Sequence, residues 1–361
     1  MLLVINAGSS SLRLAAFDRG LVEIARAQIG EIAEGGHAAA LTDGLGQAGV
    51  ALGDLAGVAH RVVHGGAGLV SPVRVTPDVI AAIEACVPLA PLHNPANLMG
   101  IRAVAALAPG LPQYASFDTA FHATNPEVAT RYAIPVADAA LGIRRYGFHG
   151  LSYAALVQAL PKLWGAALPK RLLALHLGNG ASLCAIRDGT SVATTMGYSP
   201  LDGLTMGTRA GGLDGNAVLR LAQVHGIDGA ARILNRQSGL LALGGASDMR
   251  ALHRADTPEA RFAVRHFCYW AVRHAGSMIA AMRGLDAIAF TGGIGENDPT
   301  IRARILDDLA WAGVAYAGQA NSKGAPCLHD AGSDVAIWIV PAQEERQIAS
   351  EAMALMGKTA E

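Results

Sequence analysis

Cysteine is scarce in this sequence, and the few copies are scattered. The 361 residues include Cys86, Cys184, Cys268 and Cys327. None of them forms a Cys-x-x-C pair, so the sequence predicts neither a disulfide framework nor a zinc site. His60 and His64 are four residues apart, but they fall in a run typical of a strand that leads into a turn. In a strand, that spacing does not bring two metal ligands together.

An excess of charge of either sign is also missing. The sequence has 28 Lys and Arg residues against 29 Asp and Glu residues. Proteins that bind nucleic acid or anionic membranes usually carry a basic surface, so this balance argues against both partners. A small anionic ligand would have to be bound by local charges.

Long apolar runs are absent as well. No run approaches the roughly 18 residues of a membrane span. The first strand follows Met1 directly and is interrupted by Asn6, which leaves no room for a secretory leader. We therefore expect a cytoplasmic protein. The length suits two domains, and the composition, 52% hydrophobic and 16% charged, suits a compact enzyme.

The sequence does contain a polar turn between two apolar runs at its start. Residues 2–5 are apolar, 6–11 are Asn, Ala, Gly and three Ser, and a second apolar run leads to Asp18. This pattern predicts two strands joined by a tight turn. Backbone N–H groups and Ser hydroxyls in such a turn are suited to holding phosphate.

A second copy of this pattern occurs at residues 172–189, where the turn is Gly178-Asn179-Gly180. Two phosphate-type hairpins indicate two similar domains that face each other. Actin, sugar kinases and heat-shock ATPases have this organisation. We therefore predict an α/β fold with two similar ribonuclease H-like domains of the actin and sugar-kinase type around a nucleotide cleft.

Charged side chains follow two predicted strands of the first half. The run from Val58 to Gly66 places Arg61 near the end of one strand, and Asp118 ends a short strand that starts near Tyr114. Functional groups of α/β proteins usually lie at such strand ends.

Helices alternate with loops that present histidines in the middle of the first half. Thr76-Pro77 is typical of a helix start, and we expect that helix to stop before Pro88. Residues 88–95 are rich in proline and apolar residues, which predicts a buried loop presenting His93, followed by a helix from about 96 to 108. His149 lies in another loop.

The second half offers glycine-rich turns. Residues 194–212 are dense in glycine and hydroxyls and carry Arg209. Thr257-Pro258 begins the longest predicted helix, which Gly284 ends. The strand 287–291 turns through Gly292 and Gly293, where a missing side chain would admit a base or ribose. A last strand, 335–341, precedes a terminal helix opened by residues 343–346.

These motifs closely resemble those of the acetate kinases, a family of the sugar kinase and actin superfamily that also includes propionate and butyrate kinases. The matching segments, in family order, are 6–12, 60–66, 91–95, 117–122, 146–150, 176–180, 206–209, 247–250, 292–297 and 344–345.

The resemblance implies Mg²⁺-dependent transfer of the ATP γ-phosphoryl group to acetate, with Mn²⁺ as an alternative ion, in a homodimer. It implies catalytic roles for Arg61, Asp118, His149 and Arg209. Contacts to phosphate or the transition state would come from His93, His176, Asn179, Ser9, Ser11 and Arg13. The apolar substrate pocket would be formed by Val63, Leu92, Phe148 and Pro200. Nucleotide contacts would come from His176, Gly178, Asn179, Gly180, Asp248, Met249, Arg250, Gly292, Gly293, Gly295 and Asn297. The metal ligands would be Asn6 and Glu344.

The sequence departs from the family at Arg13, where Lys is usual, and at Gln343, where Asn is usual. Arg keeps the charge but replaces a compact ammonium with a broad fork. The expected domains are 1–119 plus 347–361 for acyl substrate and phosphate, and 120–346 for nucleotide. Alternatives are a kinase for propionate or another short carboxylate, a sugar kinase, and a non-catalytic actin-like ATP-binding protein.

Overall fold

The computed structural model describes residues 1–33 and 35–358. The chain divides into two compact units: Met1–Ala123 with Phe148–Ala155 and Gln343–Glu361, and Thr124–Gly147 with Leu156–Ala342. Residues 359–361 of the predicted first domain lie outside the described residues. Within the described part of the chain, no helix combines the length and hydropathy needed to span a membrane.

A mixed sheet of six strands forms the centre of the first unit. Its strands are β1 (Leu2–Ala7), β2 (Ser11–Phe17), β3 (Glu23–Gly30), β4 (Gly57–Val62), β5 (Val73–Arg74) and β6 (Gln113–Phe117). Their order is β3-β2-β1-β4-β6-β5, with β1, β4 and β6 parallel. The predicted first hairpin is confirmed, since β1 and β2 pair antiparallel from Leu2 opposite Phe17 to Ala7 opposite Leu12.

A second mixed sheet, of five strands, forms the centre of the second unit. Its strands are β7 (Arg171–Leu177), β8 (Ala181–Arg187), β9 (Thr190–Thr194), β10 (Ala287–Thr291) and β11 (Ala336–Ile339), in the order β11-β10-β7-β8-β9. The antiparallel pair of β7 and β8 confirms the predicted second hairpin.

The described residues form fourteen α-helices in addition to these two sheets. They are α1 (His37–Ala48), α2 (Pro77–Ala85), α3 (Asn94–Leu107), α4 (Glu127–Thr130), α5 (Val136–Ala139), α6 (Gly150–Trp164), α7 (Gly215–Arg236), α8 (Gly239–Gly244), α9 (Met249–Ala255), α10 (Pro258–Met282), α11 (Gly292–Asn297), α12 (Pro299–Asp307), α13 (Gly318–Ser322) and α14 (Glu344–Lys358).

Local capping explains the helix starts that the sequence predicted. Thr76 accepts a hydrogen bond from the backbone N–H of Val79, and Thr257 accepts one from Ala260. The end of α10 differs in one detail from expectation. The left-handed residue that closes α10 is Arg283, with φ 61°, immediately before Gly284.

The prediction of a buried loop at residues 88–95 is wrong. Val87–Leu89 is a 3₁₀ turn, Pro88, Pro91 and Leu92 are exposed, and α3 begins at Asn94. Proline is tolerated in a first helical turn because the N–H it lacks has no partner there, so Pro95 does not delay the helix to residue 96.

The first sheet is covered on both faces. Leu3, Ile5, Leu12 and Leu14 pack in an apolar cluster with residues of α1 and α3. The opposite face contributes residues including Leu2, Val4 and Ala59 to a cluster with Ile348, Ala349 and Ala352 of α14. Side chains alternate along a strand, so Asn6, two residues after Val4 in β1, is on the face that packs against α14.

Candidate functional site

Arg61 and Asp118 form a close ion pair in the first unit. The Nη2 atom of Arg61 donates to Oδ2 of Asp118 over 2.6 Å, and Nε donates to Oδ1 over 3.0 Å. The side chain of Asp118 is 2% exposed and that of Arg61 is 21% exposed. The contact from Nη1 to Oδ1 of Asn6 is long, 3.4 Å. One edge of the guanidinium, formed by Nε and Nη2, therefore holds Asp118, and Nη1 is directed toward Asn6.

Strand register brings this pair together. Arg61 is the Cα partner of Ser116 across the parallel strands β4 and β6, and the N–H of Asp118 donates to the carbonyl of Val62. Asn6 is the partner of Arg13 across β1 and β2. Functional side chains thus collect where the parallel strands end, which is where ligands bind in α/β sheets.

Glu344, the first residue of α14, adds a second carboxylate to this region. Burial works to lower the pKa of Arg61, but the negative charges of Asp118 and Glu344 outweigh burial and keep that pKa above its ordinary value. Burial raises the pKa of the Asp118 carboxyl, while the Arg61 guanidinium and the charge of His93 oppose that rise. A single electrostatically coupled group therefore comprises Arg61, Asp118, His93 and Glu344.

His149 has a backbone conformation that is rare for its residue type. Its φ is +59°, in the left-handed region, and it immediately precedes α6. The next residue, Gly150, donates its N–H to the carbonyl of Asp118 over 2.8 Å, and a Cβ there would lie 2.3 Å from that oxygen. The loop of His149 is thus fastened to Asp118, and strained residues of this kind cluster at functional sites.

Phe148 is held in the interior by two histidines. Its carbonyl is 3.0 Å from Nε2 of His122, and its ring meets the ring of His64 edge-on at 5.5 Å. Burial lowers the pKa of His122 to about 4, so this imidazole is neutral at neutral pH. Phe148 is 1% exposed.

Val63 lies just beyond β4. Side-chain alternation along a strand would put Val63 on the same face as Arg61, two residues earlier, but β4 ends at Val62. Val63 is 8% exposed and donates its N–H to Oδ1 of Asn97. The backbone of Val63 is therefore held by α3 rather than by strand pairing. Leu92 is 42% exposed.

Two asparagines that sequence reasoning missed hold the end of β4. Asn94 accepts from the N–H of His64 and donates to its carbonyl, and Asn97 links the N–H of Val63 to the carbonyl of Ala7. Both are 2% exposed or less. The sequence signal that could have identified them is a pair of Asn residues in the first turn of a helix, where an amide side chain finds few hydrogen-bond partners within the helix.

Another missed contact joins α14 to β6. Glu351 hydrogen-bonds Ser116 and accepts from Nε2 of Gln347 over 2.9 Å. Burial raises the pKa of Glu351 above its ordinary value, against the effect of both hydrogen bonds. Glu344, Gln347 and Glu351 recur at three- and four-residue spacing, so they form one polar stripe of the helix.

The first hairpin turn is tight and its side chains are accessible. The N–H of Gly8 donates to the carbonyl of Ser11 over 2.7 Å, and Nε2 of His37 lies 2.9 Å from the Gly8 carbonyl. Ser9 and Arg13 are exposed. The side chains of Ser9 and Arg13 are therefore accessible to solvent.

The corresponding turn of the second unit is built from Gly178, Asn179 and Gly180. The N–H of Gly178 donates to the carbonyl of Gly180, and Asn179 accepts from the N–H of Gly207. A Cβ on Gly207 would lie 2.0 Å from Oδ1 of Asn179. His176 pairs with Thr291 in β10, so the end of β7 adjoins the start of α11.

Arg209 belongs to a loop of the same unit. Its Nη1 donates to the carbonyl of Pro200 over 2.9 Å and contacts the sulfur of Met206 at 3.6 Å. Its own carbonyl accepts from the N–H of Met206. This loop therefore holds the guanidinium of Arg209 close to the carbonyl of Pro200.

Residues Gly292–Asn297 form the short helix α11 directly after β10, and this glycine turn is tightly organised. Gly292 has φ 78°, and a Cβ there would lie 2.8 Å from the carbonyl of Leu177, so glycine is required. A Cβ on Gly293 would meet no heavy atom of the described residues within 4 Å beyond its chain neighbours. Asn297 donates from Nδ2 to the carbonyl of Gly293.

Asp248 and Arg250 form a local pair at the start of α9. Asp248 accepts from the backbone N–H groups of Arg250 and Ala251, and the Arg250 side chain binds it with a shortest distance of 2.6 Å. The side-chain hydrogen bond from Arg250 lowers the pKa of Asp248 to about 2. Met249 is 3% exposed, so its side chain belongs to the core.

The described residues contain no group of three or more His, Cys, Asp or Glu side chains placed to hold a metal. The oxygen donors of Asn6, Asp118 and Glu344 are of the type that Mg²⁺ prefers, and Mg²⁺ usually takes only one or two carboxylates together with substrate phosphates. These residues therefore fit a Mg²⁺ site completed by a phosphate-bearing substrate.

Residues 33–350 match the model of the acetokinase family. The acetate kinase of Nitrobacter hamburgensis is 46% identical over 83% of this chain and 75% of its own length. A crystal structure of Porphyromonas gingivalis acetate kinase superposes with a TM-score of 0.90 at 32% identity, covering 98% of this chain and 99% of that one. A propionate kinase from Francisella tularensis gives a TM-score of 0.91 at 34% identity, covering 97% and 98%.

Proposed function

The chain belongs to the acetokinase family and is a phosphotransferase with a carboxyl group as acceptor, and from that premise we propose which residues carry out its reaction. It transfers the γ-phosphoryl group of ATP reversibly to acetate, giving acetyl phosphate and ADP. The acceptor is ionised at neutral pH, so the transfer needs no strong general base. Positioning and charge neutralisation supply the catalysis.

In this proposal Arg61 binds the acceptor carboxylate. The guanidinium is already oriented by Asp118, and its Nη1 edge, directed toward Asn6, provides donors for a carboxylate oxygen. Asp118 is thus a positioning residue for Arg61. Because the pair is largely buried, reorientation of the cation during the reaction would be costly, and a fixed cation stabilises developing charge best.

The transferring phosphoryl group would be stabilised by Arg209 together with His149 and His93. Arg209 provides a fixed positive charge, and the two histidines donate hydrogen bonds to equatorial oxygens. The left-handed backbone of His149 supports this role, because the loop keeps that strain while it is fastened to Asp118.

Mg²⁺ is the metal proposed for this reaction, held by Glu344 and Asn6 and by Asp118 directly or through water. When bound it would neutralise charge on the phosphates. Glu344 already interacts with Arg61 and Asp118, which supports its place in this charge cluster. Mn²⁺ has similar ligand preferences and should substitute.

Nucleotide binding is proposed for the second unit. His176, Asn179 and the amides of Gly178 and Gly180 would contact phosphates, as would Ser9, Ser11 and Arg13 of the first hairpin turn. Gly292, Gly293 and Gly295 would lie against the base or ribose, with contributions from Asp248, Met249, Arg250 and Asn297. The open side of Gly293 supports this assignment.

The Arg61 guanidinium, paired with the buried Asp118 and itself 21% exposed, is the observation that carries the proposal. Val63 follows it by two residues and Phe148 precedes His149, and both are buried apolar side chains. With Leu92 and Pro200 they are the proposed pocket for the acceptor's carbon tail. A sugar kinase would need a general base and polar groups for hydroxyls, and an actin-like scaffold has no use for Arg61 or Arg209.

A hydroxamate assay with ATP, Mg²⁺ and a panel of carboxylates tests this function. Acetate should give the highest kcat/KM, with propionate lower but measurable. Activity toward sugars, or ATP binding without acyl phosphate formation, would refute the proposal. Omission of Mg²⁺ should abolish turnover, and Mn²⁺ should restore it.

The proposal also covers the oligomeric state, the cellular location and the domain bounds. The family resemblance suggests a homodimer, and exposed apolar side chains of the second unit, including Leu219, Ile227 and Tyr269, support it. Use of ATP supports a cytoplasmic location. The acyl-substrate domain is proposed as 1–119 plus 347–361 and the nucleotide domain as 120–346. Residues 120–123, 148–155 and 343–346 nevertheless group with the first compact unit.

A further inference from the structure

Arg302 is a charged residue in the interior of the second unit. It belongs to α12 and is 1% exposed. Burial lowers its pKa, while the charge of Asp298 opposes that change. A buried cation is costly unless its donors are satisfied, so its presence calls for a specific set of acceptors.

Carbonyl and amide oxygens fill that role. Nη1 donates to the carbonyls of Gly295 and Glu296, each over 2.9 Å. Nε donates to Oδ1 of Asn321 over 2.8 Å, and Nη2 donates to the carbonyl of Asn321 over 2.9 Å. Asn321 is itself fixed by donating to the carbonyl of Pro299.

Two of these acceptors, the carbonyls of Gly295 and Glu296, lie in the second half of the glycine turn. Its other end is fixed by Glu296, whose Oε1 accepts from the N–H of Gly292 over 2.9 Å and from that of Ala342 over 3.0 Å. Together with the contact from Asn297 to the carbonyl of Gly293, these bonds anchor both ends of the turn and leave the Cβ side of Gly293 open.

We propose that Arg302 is a positioning residue for nucleotide binding, and that its buried guanidinium fixes the Gly292–Asn297 turn through the carbonyls of Gly295 and Glu296. This inference rests on the proposed nucleotide role of Gly292, Gly293 and Gly295. The planar fork makes bonds in three directions at once, which Lys cannot reproduce. Loss of the fork leaves buried carbonyls unpaired and loosens the turn.

The test compares Arg302→Lys and Arg302→Met with Arg304→Met, an exposed arginine of the same helix. Calorimetry with ADP should show about tenfold weaker binding for both Arg302 variants, and the KM for ATP should rise similarly while the KM for acetate changes less than about twofold. Hydrogen exchange of residues 291–298 should increase, and that of residues 177–181 should not. Arg304→Met should match the wild type throughout.

If Arg302→Met does not fold, Asn321→Ala provides the same test, because it removes the acceptor of Nε and the bond to Pro299. It should shift ADP affinity and exchange in the same direction, by less. Wild-type ADP affinity in a folded Arg302→Lys variant, with only a lower Tm, would overturn the inference.

Gly293→Val tests the underlying nucleotide assignment separately. If it weakens ADP binding while Arg302→Lys leaves exchange of 291–298 unchanged, the positioning role alone is overturned. If Gly293→Val leaves ADP binding unchanged while exchange rises in the Arg302 variants, the nucleotide assignment of the turn fails, and the functional part of the inference fails with it.

Discussion

Arg61 binds Asp118 through two nitrogens of one guanidinium edge, although the residues are 57 positions apart in the chain. The pair leaves the Nη1 edge of the guanidinium directed toward Asn6. The carboxylate of Asp118, which is 2% exposed, thus fixes the orientation of the Arg61 guanidinium and the direction of its remaining N–H donors.

Replacing Asp118 by Asn should therefore disturb both activity and stability. Arg61 would lose its ionic partner, and we expect kcat/KM for acetate to fall about 10²-fold. The free energy of unfolding should fall by about 1–3 kcal/mol, because Arg61 is partly exposed and recovers some hydration. Steady-state kinetics and urea unfolding measure the two effects. The exposed control Asp54→Asn should change neither; an unchanged kcat/KM in Asp118→Asn would remove Asp118 from the site.

Arg209→Ala should act mainly on the rate of transfer. The charge that Arg209 supplies matters most as the phosphoryl group flattens, so kcat should fall at least about 10²-fold with ATP affinity nearly unchanged. Arg232→Ala, at an exposed position of α7, is the matched control and should be neutral. A raised KM for ATP with normal kcat would reassign Arg209 to ground-state binding.

Glu344 and Glu345 should differ in their effect on metal dependence. Glu344→Ala should strongly raise the Mg²⁺ concentration needed for half-maximal activity, because a ligand and a charge of the cluster are lost. Glu345→Ala should be mild, since its charge stabilises the start of α14. Mg²⁺ titrations of the two variants decide the point, and superimposable curves would refute the assignment.

Val63 should influence the choice between acetate and propionate. One methylene is worth about 1–3 kcal/mol in an apolar pocket, so propionate should be poorer by tenfold or somewhat more. Val63→Ala should narrow or invert that preference, chiefly through the KM for propionate. Val58→Ala, a buried valine of β4 at 0% exposure, should lower stability without changing the ratio. An unchanged ratio in Val63→Ala would place the pocket elsewhere.

Two buried histidines should make the protein less stable in mild acid. Burial lowers the pKa of both His60 and His122 to about 4, from an ordinary 6.5. Below pH 6.5 the unfolded chain binds protons that the folded chain does not, so stability falls as the pH drops from 6.5 to 4. Each histidine contributes at most about 3 kcal/mol.

Denaturant unfolding at several pH values measures this effect. His60→Gln should flatten the curve, because Gln cannot take up the proton. The exposed control His225→Gln should retain the wild-type slope. If His60→Gln retained that slope as well, burial of His60 would not be the cause.

Much of the fold could be predicted because its signals are local. The polar turns at residues 8–10 and 178–180 lie between apolar runs, and the helix caps at Thr76 and Thr257 act on residues three positions away. Such patterns are fixed by backbone geometry and nearby hydrogen bonds, which depend little on the rest of the chain. The strand-end positions of Arg61 and Asp118 followed from the same reasoning.

Only the tertiary structure decided which of these side chains meet. The partnership of Arg61 with Asp118 depends on the order β1-β4-β6, and the backbone of Val63 is held by Asn97 of α3 instead of by strand pairing. Arg302 gave no signal in the sequence, because its burial depends on acceptors up to 19 residues away in another helix. Local pattern determined the elements, whereas the long-range contacts that arrange the site arise from packing of elements distant in the chain.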